Sequence, residues 1–265
     1  MKKILFPAVC IMAALMLTTF AIPAAPQPPL IPVLTYHSIK SHEFYHPINT
    51  GNPWILSESA FYEQMSYLYH AGFTPLTSYQ LIDFLFYGGD LPPRPIILTF
   101  DDGYLDNYLF AAPILRQFGF MGMVFLITSA IADPAPPMAA WPTPFMGFAE
   151  IESSADVFEF GSHTHNMHQV INGVAPYRAA ARDEILRDIL VSLEYPLTLT
   201  TGFAYPHGAH TPAAVSALTE AGIRFAFTTR TGYLHRASDP MLIPRFAITS
   251  DMSMEKFIDI VNGNY

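Results

Sequence analysis

Residues 95–105 read PIILTFDDGYL, a short apolar run that ends in two adjacent aspartates and a glycine. Ile96, Ile97, Leu98 and Phe100 have the length and character of a buried strand, and Gly103 marks a sharp exit from it. Only 13% of the chain is charged, so two neighbouring carboxylates at the end of such a strand call for an explanation. They repel each other, and each is costly to desolvate without a partner. Something positive belongs beside them, either a basic side chain or a metal ion.

The same alternation of apolar run and polar exit recurs in both directions. VLTY at 33–36 reads as a strand. Ser57 can cap a helix from Glu58 to about Ala71, stopped by Gly72, and Thr77 can open another to Tyr87, ended by Gly88 and Gly89. Downstream, the pattern predicts a helix over 105–118, a strand at GMVFLI (122–127) and a proline- and alanine-rich loop from Ala132 to Pro144. It continues with a strand at VFEFGSH (157–163), a helix over 177–194 and a strand at TGFAYP (201–206). Thr211 and Pro212 begin a helix to Ala221, RFAFTT (224–229) and LIPRFAI (242–248) read as strands, and Ser253 opens a last helix. Such alternation predicts an α/β fold, a distorted (β/α) barrel of about seven parallel strands, with residues 33–265 as one domain.

The first 25 residues stand apart. Lys2 and Lys3 precede an apolar run from Ile4 to Ala21 and the small residues Ala24 and Ala25. This is the layout of an export signal or, if uncleaved, of an N-terminal membrane anchor. Residues 26–32 (PQPPLIP) form a proline-rich linker. No later segment has the apolar length of a membrane span. The only cysteine, Cys10, lies inside the leader, so the domain itself has neither disulfides nor thiolate chemistry. A net charge of −9 with no basic cluster argues against nucleic acid as a partner.

In parallel barrels the chemistry gathers at the C-terminal strand ends. Here those positions hold His37, then Asp101 and Asp102, then His163 with His165 and His168 close behind, then Pro206 and His207. Imidazole and carboxylate suit zinc and similar divalent ions, and a catalytic site needs three protein ligands and an open position. One aspartate and two histidines meet that count and leave the second aspartate free to move a proton.

TFDDGY (99–104), SHTHNMH (162–168) and FAYPHG (203–208), followed by a helix and AGIRFAFTT, resemble in order the three motifs of the polysaccharide deacetylases of carbohydrate esterase family four. The resemblance runs from about Pro32 to the C-terminus. It implies that Asp102 and two histidines bind the metal, zinc foremost with cobalt and nickel compatible, and that Asp101 is the catalytic base. His163 and His168 match a longer variant of the second motif, while His165 is the physical rival, because residues two apart on a strand face the same way. The family's C-terminal Leu-x-His motif has no counterpart. His235 lacks that spacing, and the literal match at Leu68–His70 falls inside a predicted helix. VLTYHSI (33–39) instead resembles the first strand of a circularly permuted branch that includes deacetylases of biofilm poly-N-acetylglucosamine, which implies His37 as the catalytic acid.

Two further departures matter. The family's arginine before the third motif is missing; Arg245 is either its replacement beside Asp101 or half of a surface ion pair. His207 stands where the family has an aromatic, and by resemblance its backbone N–H, next to Pro206, meets the oxyanion. The implied activity is metal-dependent removal of N-acetyl groups from an extracellular or cell-wall polysaccharide containing N-acetylglucosamine, by an exported protein. A metal-dependent O-acetyl (xylan-type) esterase and a sugar-binding relic without catalysis are the alternatives.

Overall fold

Strand pairing is parallel along the whole main sheet. The computed structural model describes residues 30–44, 51–139, 142–171, 173–195 and 199–265, so the expected leader and most of the proline-rich linker lie outside the described residues. The strands are β1 Val33–Tyr36, β2 Ser38–Lys40, β3 Ile55–Ser57, β4 Thr74–Pro75, β5 Pro95–Phe100, β6 Gly122–Leu126, β7 Phe158–Ser162, β8 Leu199–Ala204, β9 Phe225–Phe227 and β10 Phe246–Ala247. The α-helices are α1 Glu58–His70, α2 Ser78–Ile82, α3 Ala112–Phe118, α4 Phe148–Ser153, α5 Pro176–Ala179, α6 Arg182–Leu193, α7 Pro212–Glu220 and α8 Met254–Val261.

Seven strands follow one another in the order β10-β1-β5-β6-β7-β8-β9. A parallel bridge between Phe227 and Ile243 ties β9 back toward the segment leading into β10, and the sheet curls into the distorted barrel that the sequence pattern predicts. Alternate residues serve two cores. Val33, Ile97, Met123, Phe125 and Phe227 pack together on one face, while Leu34, Leu98, Phe100 and Val124 pack with residues of α1, α3 and α8 on the other. Burial on both faces is why these strands read as continuous apolar runs.

Two strand glycines are required by close approach. Gly161 lies opposite Phe125 and Gly202 opposite Phe225 in the ladder. A Cβ on either would meet the partner's ring at 2.6 or 2.4 Å. The ring across the strand takes the space a side chain would fill.

Several boundaries depart from the expected ones. The helix expected to Tyr87 ends as α-helix at Ile82 and continues as a π-helical turn over Asp83–Tyr87. The one expected over 105–118 begins with a π-helical turn, Asn107–Ala111, before α3. The helix expected over 177–194 breaks, because Ala180 and Ala181 are both extended. There the Glu184 carboxylate accepts the Ala181 N–H at 3.0 Å and starts α6 afresh. Of LIPRFAI, only Phe246–Ala247 forms a strand, preceded by the bridge at Ile243 and by Pro244, which has no N–H to give a ladder. RFAFTT pairs only over Phe225–Phe227. Among the described residues no helix is long and apolar enough to cross a membrane.

Candidate active site

At the end of β5 the ladder carries one residue further, the Asp101 N–H donating to the Tyr36 carbonyl at 2.9 Å. The chain then turns through Asp102 (φ 74°) and Gly103 (φ 81°). A left-handed conformation is costly for a residue with a Cβ and tends to persist where function over-determines it. Of the four non-glycine residues with positive φ among the described residues, Asp102, Thr164 and His207 all stand at the ends of the strands that build this site; Arg94 does not.

β7 delivers His163, which is 2% exposed. Its Nδ1–H donates to the Ala204 carbonyl at 2.7 Å, so Nε2 carries a lone pair. That Nε2 lies 3.6 Å from Asp102 Oδ1, and the His168 Nε2 lies 3.2 Å from the same oxygen. Ligand atoms of Asp102, His163 and His168 all fall within 4.8 Å of one another. Burial pushes each imidazole down to about 4, so both are neutral at physiological pH. Asp102 Oδ1 is buried with no hydrogen-bond partner among the described residues. A carboxylate oxygen facing neutral imidazoles, one of them with its lone pair turned inward, lacks a positive charge, and a divalent cation fits that donor set.

Asp101 has the other kind of partner. Arg245 grips it with two hydrogen bonds of 2.8 Å and also donates to Thr99 Oγ1 at 3.1 Å and to the Thr228 carbonyl at 3.0 Å. At 2% exposure this is a buried pair, and the surface ion-pair alternative for Arg245 falls away. Burial alone would raise the Asp101 carboxyl, but the guanidinium outweighs it and holds the group well below the usual carboxylate range. The opening pair of aspartates thus divides its needs, one meeting an arginine and the other a metal-like arrangement of donors.

His37 follows β1, and its ring lies 4.6 Å from that of Trp54, which is 43% exposed at the rim. Both line a cavity of about 280 Å³ together with Asp101, Asp102, His163 and His168. His207 and Arg245 line it too. His207 adopts φ 51° directly after Pro206, and its Nε2–H donates to the His168 carbonyl at 2.9 Å. His165 lies outside the cluster, with Nδ1 3.0 Å from Thr128 Oγ1. His70 sits exposed on α1 and bonds the Ser66 carbonyl.

Three residues here escaped the sequence reading. Trp54 belongs to no motif. Asp188 lies on α6, where nothing in the sequence points to the site. Tyr104 is inside TFDDGY itself, and burial together with the Asp102 carboxylate pushes its hydroxyl far above the ordinary range; its place in the motif was the available signal.

A curled parallel sheet that gathers carboxylates and imidazoles at its strand ends has the layout of the barrel enzymes. More closely, the chain belongs to the polysaccharide deacetylase family, whose model matches residues 88–226, and it is therefore a hydrolase of that family. YxkH of Bacillus subtilis (strain 168) is 24% identical over 235 residues, covering 87% of this chain and 76% of that protein. The poly-beta-1,6-N-acetyl-D-glucosamine N-deacetylase of Escherichia coli (strain K12) is 28% identical over 231 residues, 75% of this chain but only 34% of that longer protein. Among solved structures, the Streptococcus pyogenes deacetylase PplD in complex with acetate superposes with a TM-score of 0.76 at 22% identity, covering 89% of this chain and 99% of that one.

Proposed function

We propose that this chain is an exported, metal-dependent deacetylase that removes N-acetyl groups from an extracellular or cell-wall polysaccharide containing N-acetylglucosamine. The observation that carries the reading is the convergence of Asp102, His163 and His168 within 4.8 Å beside the Asp101–Arg245 pair, in one cavity with His37. The named activity of the E. coli relative supports the choice of sugar, and the apolar leader with its two lysines supports export.

In this reading Asp102, His163 and His168 hold the ion, with zinc favoured by the ligand types. When bound, the ion polarises the acetyl carbonyl and acidifies water. Asp101, kept ionised by Arg245, takes the proton of the attacking water. Arg245, bonded to both carboxylate oxygens, fixes the orientation of the group. The His207 backbone N–H, presented by its left-handed φ, meets the oxygen on which charge develops, a contact of a kind often worth about 3 kcal/mol. His37, against the Trp54 ring, gives its proton to the departing amine. Trp54 offers an exposed ring face to the sugar.

The test is acetate release from β-1,6- and β-1,4-linked N-acetylglucosamine oligomers, with and without a chelator. Chelator-sensitive release is expected, with a preference for the β-1,6 linkage. Release only from O-acetylated xylan would make the enzyme an esterase. Sugar binding with no release from any substrate would leave a binding relic.

A further inference from the structure

The third member of the candidate metal centre reaches it by a different route from the other two. His163 follows β7 directly and Asp102 comes two residues after β5, whereas His168 comes five residues after His163 on a loop. A free loop would have to be ordered when the ion binds, at an entropic cost that weakens affinity. This loop is ordered already, and from outside. Asp188, half-buried on α6, accepts the backbone N–H groups of His165 and Asn166, each at 2.8 Å. Across the loop, the His207 Nε2–H donates to the His168 carbonyl at 2.9 Å, and the two rings lie 4.6 Å apart. Between these anchors Thr164 turns through φ 79°, its N–H bonded to Ser162 Oγ and its Oγ1 accepting the Met167 N–H.

We infer that Asp188 and His207 are positioning residues for His168, holding its loop in the shape that presents Nε2 to the ion. The inference rests on the metal reading above. It assigns the His207 side chain a task separate from that of its backbone N–H. It also explains how a ligand spacing of five can be served by a stable loop. Neither residue needs to touch the ion; each acts on the backbone that carries the ligand.

The experiment is zinc affinity of the metal-stripped protein, measured by competition with a chromophoric chelator. The variants are Asp188→Ala, His207→Phe and His207→Gln, with the thermal midpoint of each metal-free protein recorded alongside. His207→Phe keeps a ring and loses the donor, and Asp188→Ala loses both acceptors. Each should weaken zinc about 10- to 100-fold, the range found for partners that orient a metal ligand. His207→Gln, which keeps an N–H near the same place, should recover most of that loss. The midpoint of the metal-free His207→Phe protein should hardly move, because the side chain is exposed. Affinity within about twofold of the parent in both disrupting variants would overturn the inference, as a general structural role predicts. If Asp188→Ala does not fold, His207→Phe decides. A parent protein that binds no zinc at all would instead sink the metal reading itself.

Discussion

The ends of β5 and β7 both feed the site, yet they hold their side chains by different means. At β5 the sheet does the holding: Asp101 is still in the ladder, and Arg245 meets it from the segment that runs into β10. At β7 the sheet lets go after His163, and the loop that follows depends on side chains from α6 and from the turn after β8. The first arrangement is stiff and electrostatically committed. The second is assembled from separate anchors and can be loosened without disturbing the barrel. Changes to the Asp101–Arg245 pair at β5 should therefore act on chemistry and fold stability, and changes to the anchors of the β7 loop on ion affinity.

The largest expected effect is on chemistry. Asp101→Asn should lower kcat for acetate release by about 10²- to 10⁴-fold while zinc affinity stays close to that of the parent, as for loss of a general base. Equal loss of zinc would show that the two aspartates are not separable. Next is stability. Arg245→Met strands a buried carboxylate and should cost about 3–5 kcal/mol in urea unfolding, with part of it recovered in the double variant with Asp101→Asn. A cost below about 1 kcal/mol would mean that water reaches Asp101 and the pair is not truly desolvated.

Acid pH separates the two strand ends in the metal-free protein. Imidazoles titrate near about 6.5 in the unfolded chain, and His163 and His168 near 4 in the folded one. Between those values the unfolded state binds more protons, so stability should fall as pH drops from about 6.5 toward 4. The Asp101 contribution has the depressed-carboxylate sign and fades only below about 4. His168→Gln should remove about half of the slope in the upper part of the profile, His163 supplying the rest, and leave the lower part intact; an unchanged profile would contradict the assignment. The smallest effect is expected at the rim, where Trp54→Ala should raise KM a few-fold, in keeping with the roughly 0.5–1.5 kcal/mol of an aromatic contact, with little change in kcat. A purely catalytic loss there would mean that Trp54 serves His37 and not the sugar.

Much of the β5 end was legible in the sequence, because an apolar run, two carboxylates and a glycine each declare themselves locally. His163 was legible for the same reason. His168 was reached only through resemblance, since geometry on a strand favoured His165, and the left-handed turn at Thr164, which takes the chain off the strand line before His165, leaves no mark in the residue types. Asp188 was invisible for a related reason. On α6 it is one more acidic residue among Asp183 and Glu184, and only the fold brings it against the amides of a loop 22 residues away. The broken helix before α6 shows local propensity being overruled, with alanines that favour continuation giving way to the Glu184 cap. Trp54 precedes β3, one strand of a small sheet that the alternation of larger elements concealed.

The pairing of Gly161 with Phe125 and of Gly202 with Phe225 has a consequence for inheritance. Each glycine and its ring occupy a single volume, so neither can change freely while the other stays. A methyl added at Gly202 needs a smaller residue at position 225, and a leucine at 225 opens room that only a larger residue at 202 would fill. Across any lineage that keeps this barrel, Gly202 and Phe225 should be replaced together or not at all, whereas Gly161 is also held by the Gly202 carbonyl, which a Cβ there would meet at 2.9 Å. At the Gly202–Phe225 pair the interior of the sheet thus passes from ancestor to descendant as a couple of residues and not as single positions.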